Sequence, residues 1–197
     1  MRKTINIEGT ERTVDANALL PRQYRKEFGR DVIVDMQKLL GGIKLSAEAL
    51  KRARKDPDGM AAELLAEPNA LDSMDLSVIE NLAWLMLRAG GEDVGATVEA
   101  WLGSLTDTMT IYNIMPDIVE LWVSSQSTTS KAKKMKSTTR PYNGAVFMLR
   151  CAELGLSDEA LAGMTIGMVY DLLAEKENDL EDYPVKGDQD DIRKIFG

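Results

Sequence analysis

Residues 21–40, PRQYRKEFGRDVIVDMQKLL, decide the fold of this chain. Pro21 stands where the first turn of a helix accepts proline, because the N–H that proline lacks would be unpaired there. Tyr24 and Phe28 are four residues apart and therefore share one helix face. The basic residues of this segment are expected to point to solvent: Arg22, Arg25 and Lys26.

The motif Phe28-Gly29-Arg30-Asp31 predicts a joint between this helix and a second one. Gly29 ends or bends the first helix, and Asp31 can cap the next one. The second helix is predicted to run to residue 40 and to stop at Gly41-Gly42. Its apolar stripe has helical spacing: Val32, Ile33, Met36, Leu39 and Leu40.

A short β-hairpin is predicted before this helix pair. Residues 3–8 alternate, with Ile5 and Ile7 on one side, and residues 12–15 resume the pattern with Val14. Gly9-Thr10 is expected to form the turn. Two strands alone are marginally stable, so the hairpin must lie against the helices or pair with another subunit.

The rest of the chain shows mainly helical periodicity. Pro116 predicts a kink or a short interruption near Asn113. Trp84, Trp101 and Trp122 are expected to pack the core. Helices are predicted over 47–54, 60–66, 75–89, 98–105, 107–123, 142–153, 166–180 and 188–196, with caps at Ser77 or Asp75 and at Thr165, and with a short turn capped by Ser157.

Composition and charge predict the domain organisation. The chain is 44% hydrophobic and only 6% aromatic, with eleven Met, which favours helical packing. Lys/Arg against Asp/Glu number 14 to 20 over 1–123, five to none over 124–141, and five to 12 over 142–197. The predicted fold is mainly α: a hairpin plus helical bundle (1–123), a flexible basic linker (124–141) and a small helical C-terminal domain (142–197).

The linker SSQSTTSKAKKMKSTTRP offers one alternative function. A cluster of five cations could bind nucleic acid, which would make the chain a helical adaptor or regulator. No aromatic residue is interleaved among the cations and the flanking segments are acidic, so the composition argues against nucleic acid as the partner. The cations are Lys131, Lys133, Lys134, Lys136 and Arg140.

The sequence contains no catalytic or metal-binding motif. With no His and one Cys, it excludes internal disulfides and nucleophile pairs that use His. Asp56 and Asp58 have the spacing of the first two ligands of a calcium loop. The loop position that requires glycine is, however, occupied by Ala61. Asp188, Asp190 and Asp191 could hold Mg²⁺, although a helix N-terminus explains them better. We expect no enzyme activity, no cofactor, no metal, no membrane span and a cytoplasmic protein without a signal peptide.

The first half resembles the tail assembly chaperones of long-tailed phages of Gram-positive hosts. The likeness lies in the opening K-x-I-x-I-x-G hairpin and the P-R-x-Y-R-x-x-F-G-R-D joint, and it continues to about Trp122. In this chain the joint motif consists of Pro21, Arg22, Tyr24, Arg25, Phe28, Gly29, Arg30 and Asp31.

The second half is similar to the extension that such phages add by a programmed ribosomal frameshift. Residues 164–171, MTIGMVYD, show this similarity. The Lys-rich segment 131–136 is what an A-rich slippery codon pair would encode. The chain therefore resembles the long form of the chaperone, made as one polypeptide by frameshifting or by cloning.

The resemblance implies a role in virion assembly in the host cytoplasm. The N-terminal domain would bind the tape measure protein and the C-terminal extension would recruit tail tube subunits, with the chaperone absent from the mature virion. We expect self-association through the hairpin edge or the 75–89 helix. The predicted partner-binding residues are Arg22, Tyr24, Arg25, Phe28, Arg30, Tyr142, Phe147, Ile166, Met168 and Tyr170. In the C-terminal part, the expected exposed docking anchors are Tyr142, Phe147, Met164, Met168 and Phe196.

Overall fold

The computed structural model describes residues 1–42, 75–132 and 140–180, with backbone alone at 41–42. This part of the chain is mainly helical, as the sequence predicts. The helices predicted over 47–54, 60–66 and 188–196 lie outside the described residues, as do the turn near Asp56 and the acidic group near Asp190. The elements are β1 (Arg2–Ile7), β2 (Thr10–Asp15), α1 (Leu20–Phe28), α2 (Val32–Gly42), α3 (Ser77–Gly90), α4 (Val98–Leu102), α5 (Thr110–Ser124), α6 (Gly144–Glu153), α7 (Asp158–Ala162) and α8 (Ile166–Asn178).

The predicted hairpin is confirmed. Strands β1 and β2 pair antiparallel, with Ile7 opposite Thr10 and Lys3 opposite Val14. The turn is one residue earlier than predicted, because Glu8 and Gly9 take up the two positive φ angles, 50° and 80°, that the tight turn needs. Ile5 and Val14 are buried on the inner face of the hairpin.

The α1–α2 joint forms as predicted. Helix α1 has Pro21 in its first turn and ends at Gly29. Asp31 then caps α2 by accepting hydrogen bonds from the backbone N–H groups of Ile33 and Val34. Helix α2 includes both glycines that were expected to end it.

Helix α3 lies at the centre of the described core. Eight of its residues are buried, from Val78 to Leu87. It crosses β2 so closely that a Cβ atom on Gly90 would lie 2.0 Å from the carbonyl oxygen of Thr13. The predicted side-chain cap is absent: Leu76 is the N-cap residue, and Asp75 bonds Arg30 instead.

Helices α4 and α5 complete this side of the core. Thr97 caps α4, which is three residues shorter than the predicted helix over 98–105. Helix α5 begins at Thr110 and contains Pro116 without the interruption considered near Asn113. All three tryptophans are buried, as predicted.

The C-terminal helices begin at polar caps. Asn143, Ser157 and Thr165 each accept a hydrogen bond from the backbone N–H three residues on. The predicted helices over 142–153 and 166–180 and the short turn after Ser157 are therefore confirmed as α6, α8 and α7. Their buried side chains belong to one continuous core cluster with the first half: Phe147, Cys151, Leu161, Ile166 and Val169.

The first part of the predicted linker contacts α8. The backbone N–H of Gly167 donates to the carbonyl of Ser125 at 2.8 Å. Asp171 accepts hydrogen bonds from the backbone N–H groups of Thr129 and Ser130. Residues 125–132 are thus attached to the last helix, whereas 133–139 lie outside the described residues. The division into 1–123, 124–141 and 142–197 stays a prediction.

Candidate functional site

The ten predicted partner-binding residues differ widely in exposure. Tyr24, Phe147 and Ile166 are buried, with 0%, 1% and 1% of their surface exposed. The half-buried residues are Phe28, Arg30, Tyr142 and Tyr170, and the exposed ones are Arg22, Arg25 and Met168. Of the ten, only the last three are exposed in this conformation.

Arg30 connects the joint to the start of α3. Its guanidinium bonds Asp35 at 2.8 Å, Asp75 at 2.6 Å and the hydroxyl of Ser77 at 2.9 Å. The hydrogen bonds to these carboxylates raise the pKa of Arg30 further above its ordinary range. The hydrogen bond from Ser77 and the charge of Arg30 lower the pKa of Asp75. Arg30 therefore holds parts of this chain together and is not a free cation.

Asp31 lies at the N-termini of two helices at once. Besides capping α2, its carboxylate accepts the backbone N–H of Gly144, the first residue of α6, with oxygen distances of 2.8 and 3.1 Å. A helix N-terminus favours a negative charge, because its first N–H groups point outward without partners. Asp31 of the joint motif thus attaches residues 140–180, the C-terminal segment, to the first half of the chain.

Three aromatic side chains of the C-terminal segment pack against one another. The ring centroids of Tyr142 and Tyr170 are 5.8 Å apart, and those of Phe147 and Tyr170 are 6.1 Å apart. The Tyr170 hydroxyl donates to the Tyr142 hydroxyl. Burial raises the pKa of both tyrosines. The expectation that Tyr142 and Phe147 are exposed is wrong for this conformation, because Phe147 is buried and Tyr142 is half-buried against Tyr170.

A second aromatic group lies between α1 and α3. Tyr24 and Phe28 meet edge to face at 4.9 Å, and Phe28 approaches Trp84 at 6.1 Å. Burial raises the pKa of Tyr24 to about 12. Tyr24 and Phe28, the predicted i, i+4 pair, therefore pack into the core. Only part of the Phe28 ring is exposed.

The basic face of α1 is exposed as predicted. Arg22, Arg25 and Lys26 all lie at the surface. The guanidinium of Arg22 bonds the carboxylate of Asp158 on α7, with both side chains more than half exposed. This face is therefore partly engaged with the C-terminal segment.

The C-terminal segment also presents large apolar side chains to solvent. Met168 and Leu172 are one turn apart on α8 and are 46% and 40% exposed. Leu149 on α6 is 46% exposed and Leu180 is 86% exposed. Of these four residues the sequence identified only Met168. The exposure of Leu172 could have been predicted from its i, i+4 spacing from Met168. Both residues lie outside the apolar stripe that α8 buries more fully, which consists of Ile166, Val169, Tyr170 and Leu173.

A cavity of about 470 Å³ lies beside the hairpin turn. Its apolar walls come from Ile7, Leu87 and Trp101, and Arg12 and Asp93 lie at its polar side. Arg12 is already paired with Glu92 at 3.0 Å. The wall residues include no thiol or lysine that could act as a nucleophile.

The described residues contain no group of three or more His, Cys, Asp or Glu side chains placed to hold a metal ion. Cys151 is buried, and burial raises the pKa of its thiol to about 11. The thiol is therefore protonated at neutral pH and is a poor nucleophile. Among the same residues, no helix has both the length and the apolar character that crossing a membrane requires.

Comparison with known proteins found no match to a protein-family model, a curated protein or a solved structure.

Proposed function

We propose that this chain is a phage tail assembly chaperone in its long, frameshift-extended form. It would bind the tape measure protein through residues 1–123 and recruit tail tube subunits through the C-terminal extension. It would act in the host cytoplasm and be absent from the mature virion. The proposal rests on the resemblance of the hairpin, the joint motif and residues 164–171 to that family.

The observation that supports it best is the exposed apolar pair of α8. Met168 and Leu172 lie side by side at the surface, inside the segment that resembles the tube-recruiting extension. Exposed apolar side chains are the usual anchors of protein interfaces, and Met adapts to irregular partners. In contrast, the aromatic rings of the same segment, one buried and two half-buried, already pack against one another.

The first half offers a surface of different character for the tape measure protein. Arg25 and Lys26 are exposed cations on α1. The half-buried ring of Phe28 lies one turn after them. A long client helix with acidic and apolar positions would suit such a surface, since charge steers the encounter and the apolar edge adds buried area.

The test is co-expression of the full chain with the long helical protein that the proposal expects to be encoded next to its gene. We expect the soluble fraction of that protein to rise severalfold and the two to copurify. Purified tube subunits should then bind the complex. The double variant Met168→Gln, Leu172→Gln should lose tube binding and keep the long helical protein soluble.

The matched control is Glu159→Gln with Glu177→Gln, which changes two exposed residues of the same segment. It should retain both interactions. An equal soluble fraction with and without the chain would contradict the chaperone proposal. Tube binding that survives the change at 168 and 172 would remove the role given to α8.

The alternative of a nucleic-acid adaptor gains no support from the described residues. Of the five linker cations, Lys133, Lys134 and Lys136 lie outside them. Salt-dependent DNA binding that disappears when Lys131, Lys133, Lys134 and Lys136 become Ala would favour that alternative.

A further inference from the structure

Within the part of the chain that the structure describes, one edge of the hairpin is unpaired. In the register that pairs Ile7 with Thr10, the residues Arg2, Thr4 and Asn6 direct their backbone N–H and C=O groups away from β2. Thr4 and Asn6 are exposed. Across the described ranges, none of the four backbone groups of Thr4 and Asn6 has a hydrogen-bond partner.

The opposite edge is blocked at Thr13 by the chain itself. The outward N–H of Thr13 on β2 donates to the carboxylate of Glu92 at 2.8 Å. Beside it, the close crossing of α3 at Gly90 covers the carbonyl of Thr13. Within the described residues, β1 therefore offers an uninterrupted edge to another strand, whereas β2 is blocked at Thr13.

We propose that β1 pairs antiparallel with β1 of a second copy of this chain, joining two hairpins into a four-stranded sheet. The two-fold axis passes through the pair of Thr4 and its copy. This arrangement places Arg2 opposite Asn6 of the other copy, and each facing pair exchanges two backbone hydrogen bonds. The inference goes beyond the proposed function and does not depend on the identity of any client.

The edge is self-complementary in this register. Its outer side chains bring a threonine against a threonine and a guanidinium against an amide, so no like charges face each other. Centring the pair on Arg2 would oppose two guanidinium groups. Centring it on Asn6 would extend beyond Ile7, where β1 ends.

Edge strands avoid pairing by placing charged side chains, proline or a bulge at the edge, or a charge on the inward face. β1 has no proline, and both of its charged side chains are already paired within the chain, Arg2 with Asp15. Here Lys3 points inward and bonds Asp117 and Glu120 on α5. The other expected self-association surface, the 75–89 helix, is α3, most of which is buried.

The first test replaces Thr4 by proline, which removes one outward N–H and leaves the hairpin bonds intact. Its control is Glu11→Pro, which removes an outward N–H from β2. In sedimentation experiments on the full chain, the wild type and Glu11→Pro should form dimers as concentration rises. Thr4→Pro should stay monomeric, and circular dichroism should show the same helix content for all three.

A second pair of variants keeps the backbone unchanged. Thr4→Lys alone and Thr4→Glu alone place like charges at the two-fold axis and should each weaken the dimer about fivefold or more. Mixed in equal amounts, they should restore wild-type association. Hydrogen exchange at the amides of Thr4 and Asn6 should slow as the wild-type dimer forms.

A wild-type chain that is monomeric at every concentration up to about 1 mM would overturn the proposal. A dimer that is unaffected by the charges at position 4 would overturn it as well.

Discussion

The hairpin and the C-terminal segment are attached to the central helices in different ways. The hairpin contributes fully buried side chains, such as Val14, to the centre of the core and crosses α3 at Gly90. The C-terminal segment (residues 140–180) adds five buried side chains to the same core cluster and is also fastened by polar contacts, among them Asp31 with Gly144 and Arg22 with Asp158. Met168 and Leu172 of this segment remain exposed. We infer that the hairpin is part of the main folding unit, whereas the C-terminal segment can open by itself.

The largest effect is expected from Gly90→Ala. A Cβ atom there would lie 2.0 Å from the carbonyl oxygen of Thr13, so the hairpin must move off α3. The free energy of unfolding should fall by about 3 kcal/mol, since the displaced surface is the centre of the core. Urea unfolding measures the loss. Gly163→Ala is the control, because its Cβ would find ordinary contacts at 3.5 Å or more.

Gly167→Ala should produce a similar clash with a more local result. Its Cβ would lie 1.9 Å from the carbonyl oxygen of Ser127. We expect residues 125–132 and 140–180 to lose protection from hydrogen exchange, while 1–40 and 75–124 keep theirs. An equal loss in both regions would remove the distinction between them.

Asp31→Ala should reduce the free energy of unfolding less than the two glycine variants do. Comparing it with a variant that loses a single helix cap measures the second role of this carboxylate. The variant loses the cap of α2 and the bond to Gly144, so the free energy of unfolding should fall by about 2 kcal/mol. Asn143→Ala, which loses a single cap bond, should cost about 1 kcal/mol. Thermal unfolding of the two variants provides the comparison. Equal losses would mean that the bond to Gly144 contributes nothing.

Acid should act on both regions through carboxylates that accept backbone N–H groups. Bonds from Asp107, Thr110 and Thr106 lower the pKa of Glu8 from 4.5 to about 2. The folded state therefore gains stability from ionised Glu8 above pH 4.5 and loses it as pH falls toward 2. Glu8→Gln should flatten this part of the stability curve, measured by urea unfolding from pH 5 to 2. A slope identical to that of the wild type would contradict the role of Glu8.

Asp171 is the corresponding carboxylate of the C-terminal segment. The N–H groups of Ser130 and Thr129 lower its pKa as well. As pH falls, residues 125–132 of the wild type should lose protection from hydrogen exchange. Asp171→Asn should make this loss depend less on pH and should leave the protection of the hairpin unchanged, as hydrogen exchange measured at several low pH values would show.

The smallest effect is expected for the exposed ion pair between the regions. Arg22 and Asp158 have side-chain exposures of 59% and 55%, so water screens their attraction. Arg22→Gln should change the free energy of unfolding by less than about 0.5 kcal/mol. A loss above about 1 kcal/mol would show that this pair holds the C-terminal segment in place.

Local signals in the sequence predicted most elements of the described fold. The alternation around Ile5, the proline at the start of α1 and the caps at Asp31, Ser157 and Thr165 act within a few residues, so a pattern reveals them. The errors in the bounds of these elements are equally local. The hairpin turn was placed one residue late because Glu8 adopts a positive φ. Helix α2 was ended too early because it continues through Gly41 and Gly42, and the sequence alone does not show whether packing outweighs the cost of glycine in a helix.

Contacts between distant segments were not predictable in the same way. The bond between Asp31 and Gly144 joins residues 113 positions apart, and nothing in either local pattern specifies the other. The same holds for Gly167 against Ser127 and for the burial of Phe147 by Tyr170. The partner-binding residues were chosen by motif and residue type, so the list mixed core side chains with surface ones.

Native-state hydrogen exchange of the wild-type chain in low denaturant tests the difference between the two regions most directly. We expect the amides of α6 and α8 to open at a lower free energy than those of β2 and α3, because the C-terminal attachment depends on fewer buried contacts. Exchange of all four elements through one common opening, or earlier opening of β2, would contradict it.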